Sequence, residues 1–255
     1  MRFASLGSGS RGNALVVEVG KTRVMLDCGF AIRETVQRLA RLELTPDQLS
    51  AIVVTHEHAD HIGGVAPFAR KFNIPVWLTH GTYSHAGGQF KDSQPLHLFD
   101  SHDRFAIGDL EIEPFPVPHD AREPAQFVFG DGARRLGVLT DTGCTTPHIE
   151  ATLTRCHALV LECNHDAEML RNGSYPPGLK QRVAGRFGHL DNAAAAEFLS
   201  KLDSSMLQHI VAAHLSEKNN LPGLAQGALS RVLNCEAEWV GIAEQETGFS
   251  WRQIA

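Results

Sequence analysis

The segment Thr55-His56-Glu57-His58-Ala59-Asp60-His61 follows the apolar run Ala51-Ile52-Val53-Val54 and precedes Gly63-Gly64. No other stretch constrains the chain as much. A buried strand that ends in three imidazoles and a carboxylate, all within six positions, is a costly arrangement unless a cation binds there. Nitrogen and oxygen donors of this kind suit zinc, manganese or iron rather than calcium. In an extended segment residues two apart share a side, so His56, His58 and Asp60 can face one space. His61, at the entry to a helix, can turn toward it. This one loop offers more donors than a single closed tetrahedral site would draw from it, so two adjacent divalent ions are expected. A solvated histidine-rich loop is the bland alternative. The donor density, the preceding strand and the glycine pair argue against it. A zincin helix is excluded, because the pair is HxH rather than two histidines four apart.

This HxHxDH pattern resembles the metallo-β-lactamase superfamily of metallohydrolases. The resemblance extends over nearly the whole chain and implies a four-layer αββα sandwich, an α/β fold. It also implies further metal ligands in a set order. His119 in Pro118-His119-Asp120, Asp141 in Leu139-Thr140-Asp141-Thr142-Gly143 and His214 in Ala212-Ala213-His214-Leu215 match. Each follows a short apolar, β-branched run, as a strand-end loop does. By this resemblance His56, His58 and His119 hold one ion, Asp60, His61 and His214 the other, and Asp141 bridges them. Asp60 is thereby also a candidate catalytic residue.

The 255 residues, 43% hydrophobic and 20% charged, suit one α/β domain over 1–255. Strands are expected early and late, with helices near 31–41, 62–72, 79–87, 191–201 and 222–232. Residues 87–95 and 173–178 read as the loosest stretches. No apolar run spans a bilayer and the N-terminal segment lacks a secretory h-region, so no membrane partner and a cytoplasmic location are expected. The five cysteines include no CxxC pair and read as small core residues.

Gly7-Ser8-Gly9-Ser10-Arg11-Gly12 matches GxGxxG, but Asn13-Ala14-Leu15-Val16-Val17 reads as a strand. A dinucleotide fingerprint needs a helix there, so NAD binding is rejected in favour of a turn between strands. Ser10 and Asn13 are donors that could line a substrate cleft. Asp27, in Leu26-Asp27-Cys28-Gly29, is expected to accept a hydrogen bond from the ligand loop rather than to bind metal.

The substrate must be read outside the metal set. Glu162-Cys163-Asn164-His165-Asp166 is a second polar cluster at a strand end, and Gly188-His189-Leu190-Asp191-Asn192 sets His189 just before a helix. His189 resembles the non-ligand histidine of the phosphodiesterase branches, which is thought to protonate the leaving oxygen. His165 either holds a phosphate or steadies His189, or is a surface residue or a support behind the site. Arg171, Lys180, Arg182 and Arg186 could track a phosphate backbone or form a solvated face. Taken together, GSGSRGN, LDCG, HEHADH, ECNHD, GHLDN and HLSEKNN are most similar to the YycJ/WalJ-type subfamily, which is linked to DNA exonuclease activity. That implies a metal-dependent phosphodiesterase, a nuclease with DNA favoured as partner. A homodimer is compatible, since phosphodiesterases of the superfamily are often dimers. The alternatives are a small cyclic-phosphate phosphodiesterase, a thioester or lactone hydrolase of the glyoxalase II kind, and a metal-binding regulatory module without turnover.

Overall fold

A computed structural model describes residues 1–90 and 95–255. The first sheet is built from β1 (Arg2–Gly7), β2 (Ala14–Val19), β3 (Thr22–Leu26), β4 (Ala51–Val53), β5 (Val76–Thr79) and β6 (Leu96–Phe99). The second contains β7 (Phe105–Ile107), β8 (Leu110–Pro116), β9 (Ala125–Gly130), β10 (Arg135–Leu139), β11 (Ala158–Glu162), β12 (His209–Ala213) and β13 (Val240–Ile242). The last strand, β14 (Phe249–Gln253), returns to the first sheet beside β1.

The helices are α1 (Ile32–Ala40), α2 (Ala59–Ile62), α3 (Val65–Phe72), α4 (His80–Ala86), α5 (Pro147–Leu153), α6 (Ala167–Asn172), α7 (Pro177–Val183), α8 (Asn192–Lys201) and α9 (Pro222–Leu233). The two sheets pack face to face over Phe3, Val17, Val24, Val53, Phe127, Val138, Val160 and Val211. Leu39, Val65 and Phe68 cover the outer face of the first sheet, and Ile149, Phe198 and Leu229 cover that of the second. This is the expected αββα sandwich.

Each sheet contains a parallel run, β3-β4-β5-β6 in one and β10-β11-β12-β13 in the other. Parallel strands need helical crossovers; here helices cover the outer face of each sheet and the other sheet covers the inner one, so central strands read as unbroken apolar runs. Ala51-Ile52-Val53 and Ala158-Leu159-Val160-Leu161 are wholly buried for this reason. In β4 and β11 no polar residue precedes the strand's end, where an open α/β layer carries its site. Asp27, His56, Asp141, Glu162 and His214 all lie at or just beyond such ends.

Several expectations change in detail. The helix expected over 62–72 is two helices, α2 and α3, interrupted at Gly63-Gly64. Gly64 donates its N–H to Cys28 O at 2.8 Å, and a Cβ there would collide with Phe30 O. The glycine pair thus lets the Asp27–Phe30 segment press against the ligand loop. Gly7–Gly12 forms a turn between the antiparallel strands β1 and β2, as expected. Cys144 and Cys235 are half-buried rather than core residues. The stretch 173–178 reaches into α7, whose first residue is Pro177. Of the stretch 87–95, residues 91–94 lie outside the described residues.

Candidate metal centre

The chain folds so that seven donors from distant loops meet at one rim. His56, His58 and His119 can each offer one ligand atom within 4.8 Å of the others. Asp60, His61 and His214 form a second such group, and Asp141 joins His56 and His61 in a third. Both halves of the expected ligand set therefore assemble, with Asp141 between them.

Buried hydrogen bonds fix the ring orientations. His61 Nδ1 donates to Asp27 Oδ2 at 2.8 Å, which turns Nε2 toward Asp60 and Asp141. Thr55 donates its N–H and its hydroxyl to the two oxygens of Asp27 at 2.8 and 2.9 Å. The same hydroxyl oxygen then accepts from His56 Nδ1 at 2.9 Å, leaving His56 Nε2 for the cluster. His119 Nδ1 donates to Gly188 O at 3.1 Å. Asp27 thus acts as expected, as an anchor behind the donors.

Asp27, Asp141 and His214 have φ of 61°, 54° and 54°. Outside glycine, Asp, Asn and His accept this left-handed region most readily. Three turns of this kind swing side chains sharply off their strand ends.

The turn after β1 works from behind. Asn13 Nδ2 donates to Asp60 Oδ2 at 3.3 Å, while its Oδ1 accepts from Gly9 N at 2.8 Å. Ser8 Oγ accepts the His214 N–H at 2.9 Å. Asn13 is buried and its amide is spent on the Asp60 loop, so it supports the donors instead of facing a substrate.

Three buried atoms, His56 Nε2, Asp141 Oδ2 and His214 Nε2, have no hydrogen-bond partner. A native interior rarely tolerates such groups, and their convergence in a cluster of N and O donors fits divalent cations. Protonation agrees. Burial pushes the pKa of His56 and His119 down, toward the neutral form that binds metal. Burial works the other way on Asp60 and Asp141, but His61 and His214 hold both carboxyls below their usual range. The chain carries a site compatible with two metal ions.

A cleft of about 340 Å³ opens over the cluster, lined by Ser10, His58, Asp60, Asp120, Arg182 and His189 among others. Arg182 pairs with Asp120 at 2.6 Å across its mouth. His189 Nδ1 donates to Glu162 Oε1 at 2.8 Å. Glu162 Oε2 accepts the N–H groups of Thr142 and Leu190, both at 3.1 Å. Sequence reasoning gave Glu162 no role of its own. The available signal was a carboxylate closing an otherwise apolar strand, which cannot stay buried without partners. His165 is set apart from the cleft: it is buried, and its Nδ1 faces Asn164 Oδ1 at 3.3 Å.

Fold and donor set define a metallohydrolase, and the chain belongs to the metallo-β-lactamase superfamily. The family described as "Beta-lactamase superfamily domain" matches residues 22–214. Exodeoxyribonuclease YycJ of Bacillus anthracis is 36% identical over 247 residues, which cover 96% of this chain and 92% of that protein. Exodeoxyribonuclease WalJ of Streptococcus pneumoniae is 34% identical, with 88% and 85% covered. The metallo-β-lactamase fold protein YhfI from Bacillus subtilis superposes with a TM-score of 0.76 at 15% identity, over 99% of both chains. The chain is a metal-dependent hydrolase of the phosphodiesterase type. No helix among the described residues is long and apolar enough to cross a membrane.

Proposed function

We propose that this protein is a dinuclear-metal exonuclease that hydrolyses phosphodiester bonds of DNA, working in the cytoplasm with zinc, manganese or iron. The observation that carries this reading is the pair formed by half-buried His189 and buried Glu162 at the edge of the donor cluster. The names and extensive similarity of the YycJ and WalJ relatives support DNA as the substrate. In this reading His56, His58 and His119 would hold one ion and Asp60, His61 and His214 the other, with Asp141 shared between them. When bound, such ions activate water and neutralise charge on the phosphate.

The rest falls to the side chains. His189 lies in the cleft with Nδ1 committed to Glu162, which leaves Nε2 as its proton donor toward the leaving oxygen. Burial alone would strip His189 of its proton, but Glu162 holds its pKa above the ordinary range. That carboxylate would also offset part of the positive field of a loaded centre. Arg182, aimed by Asp120, offers a planar guanidinium to a flanking phosphate. Ser10 offers a hydroxyl to the same cleft.

The test is a gel assay of the manganese-loaded protein on end-labelled DNA and RNA, each single- and double-stranded, beside a thioester assay. DNA shortened progressively from one end supports the proposal. Thioester turnover without nucleic-acid cleavage overturns it.

A further inference from the structure

An open groove of about 530 Å³ is lined by residues that lead along the chain into the metal centre and its cleft. Its floor is Pro116, Val117 and Pro118, which lead into His119. Its wall is Arg186 and Phe187, which lead into Gly188 and His189. The groove and the cleft therefore share one ridge, the Phe187–His189 segment.

Phe187 is 57% exposed, more than any other large hydrophobic residue described. A single exposed apolar side chain is ordinary, but this one sits on a pinned backbone. Gly188 N–H bonds Gly185 O at 2.8 Å, His189 N–H bonds Val183 O at 2.9 Å, and Gly188 O holds His119. The ring is thus presented to solvent from a rigid mount beside the reacting centre. Next to it, Arg186 has no carboxylate partner among the described residues, whereas Arg182 is paired with Asp120.

An open aromatic face and a cation without a carboxylate partner among the described residues, next in the chain to Gly188 and His189 of the cleft, match the chemistry of an unpaired nucleotide. Bases stack on aromatic rings with little regard to sequence, and guanidinium groups track the phosphates. We infer that this groove is the subsite for the nucleotide next to the scissile phosphate, its base on Phe187 and its outer phosphate on Arg186. The inference rests on the phosphodiesterase reading and adds a requirement. A base inside a duplex has both faces covered, so the nucleotide seated here must be a terminal or an unpaired one.

The experiment uses the metal-loaded protein and phosphorothioate-protected single strands carrying 2-aminopurine at successive positions from each end. Contact with Phe187 is expected to change the fluorescence at one or two positions near an end. Phe187→Ala is expected to remove that change and weaken binding about 10-fold or more, with Phe187→Trp restoring both. An unchanged signal at every position in the wild type, or wild-type affinity in folded F187A, overturns the inference. If F187A does not fold, the wild-type fluorescence and F187W decide. Wild-type turnover of bis(p-nitrophenyl) phosphate, measured in parallel, separates the two readings. Without it the phosphodiesterase reading fails, and with it but no fluorescence change only the base subsite fails.

Discussion

His189 donates Nδ1–H to Oε1 of Glu162 across 2.8 Å, and the Glu162 side chain has no exposed surface. The pair joins the end of β11 to the segment before α8. If His189 is the proton donor, His189→Ala should lower kcat on a phosphodiester by about 10²–10⁴-fold while metal content holds. Steady-state kinetics with elemental analysis checks this. An unaffected kcat would remove His189 from the chemistry, and lost metal would make it a ligand.

Glu162→Gln keeps the shape but removes the charge. A loss of about 10–100-fold is expected, with the acidic-side fall of the pH–rate profile preserved and the alkaline limb moved to lower pH. The sign follows from the interaction: without its anion, His189 gives up its proton at lower pH. An alkaline limb that stays in place would show that Glu162 does not set the protonation of His189.

Asp27 spends both oxygens on Thr55 and His61. Asp27→Ala should weaken metal binding by about 10–100-fold although no ligand is touched. Competition against a chelator measures it. Wild-type affinity would mean that the rings need no orienting partner.

Metal uptake should release protons. Burial works against a proton on His214, yet Asp141, Asp60 and Glu162 raise its pKa to about 9 in the metal-free protein. His61 is raised in the same way, by Asp141, Asp60 and Asp27 against its burial. Below that range a bound ion must expel protons, so affinity rises with pH and levels off once the rings are neutral. Calorimetry at neutral pH in buffers of different ionisation enthalpy should give buffer-dependent heats. Identical heats would contradict the assignment.

Gly29 lies against the backbone carbonyl of Asp60, and a Cβ there would collide with it. Gly29→Ala should displace the Asp60 loop, lowering both thermal stability and metal occupancy. Retention of both would show that the loop has slack to move.

The His56–His61 loop stood out in the sequence because parallel strands segregate their residues, whereas His119, Asp141 and His214 were pointed to by the family resemblance. Apolar runs such as Ile210-Val211-Ala212-Ala213, set against a following His214, agree with that resemblance. The same contrast exposed Asp27. It failed where elements are short or half-exposed. β6 has exposed residues at His97 and Leu98, so no alternation survives to mark it. The helices α5 and α6 are set by capping, with Thr146 accepting from Ile149 N and Asp166 from Glu168 N and Met169 N. Asp166 was visible only as one more acid in a polar cluster. Asn13 and His165 look like free donors in one dimension, and only packing reveals that they face inward.

The account depends on a paired metal centre bridged by Asp141. Anomalous diffraction from crystals of the manganese-loaded protein, collected on the wild type and on Asp141→Asn, tests it most directly. Two adjacent peaks are expected in the wild type, one beside His56, His58 and His119 and one beside Asp60, His61 and His214, with at least one weakened or lost in D141N. A single peak, a peak elsewhere, or two undiminished peaks in D141N would contradict it.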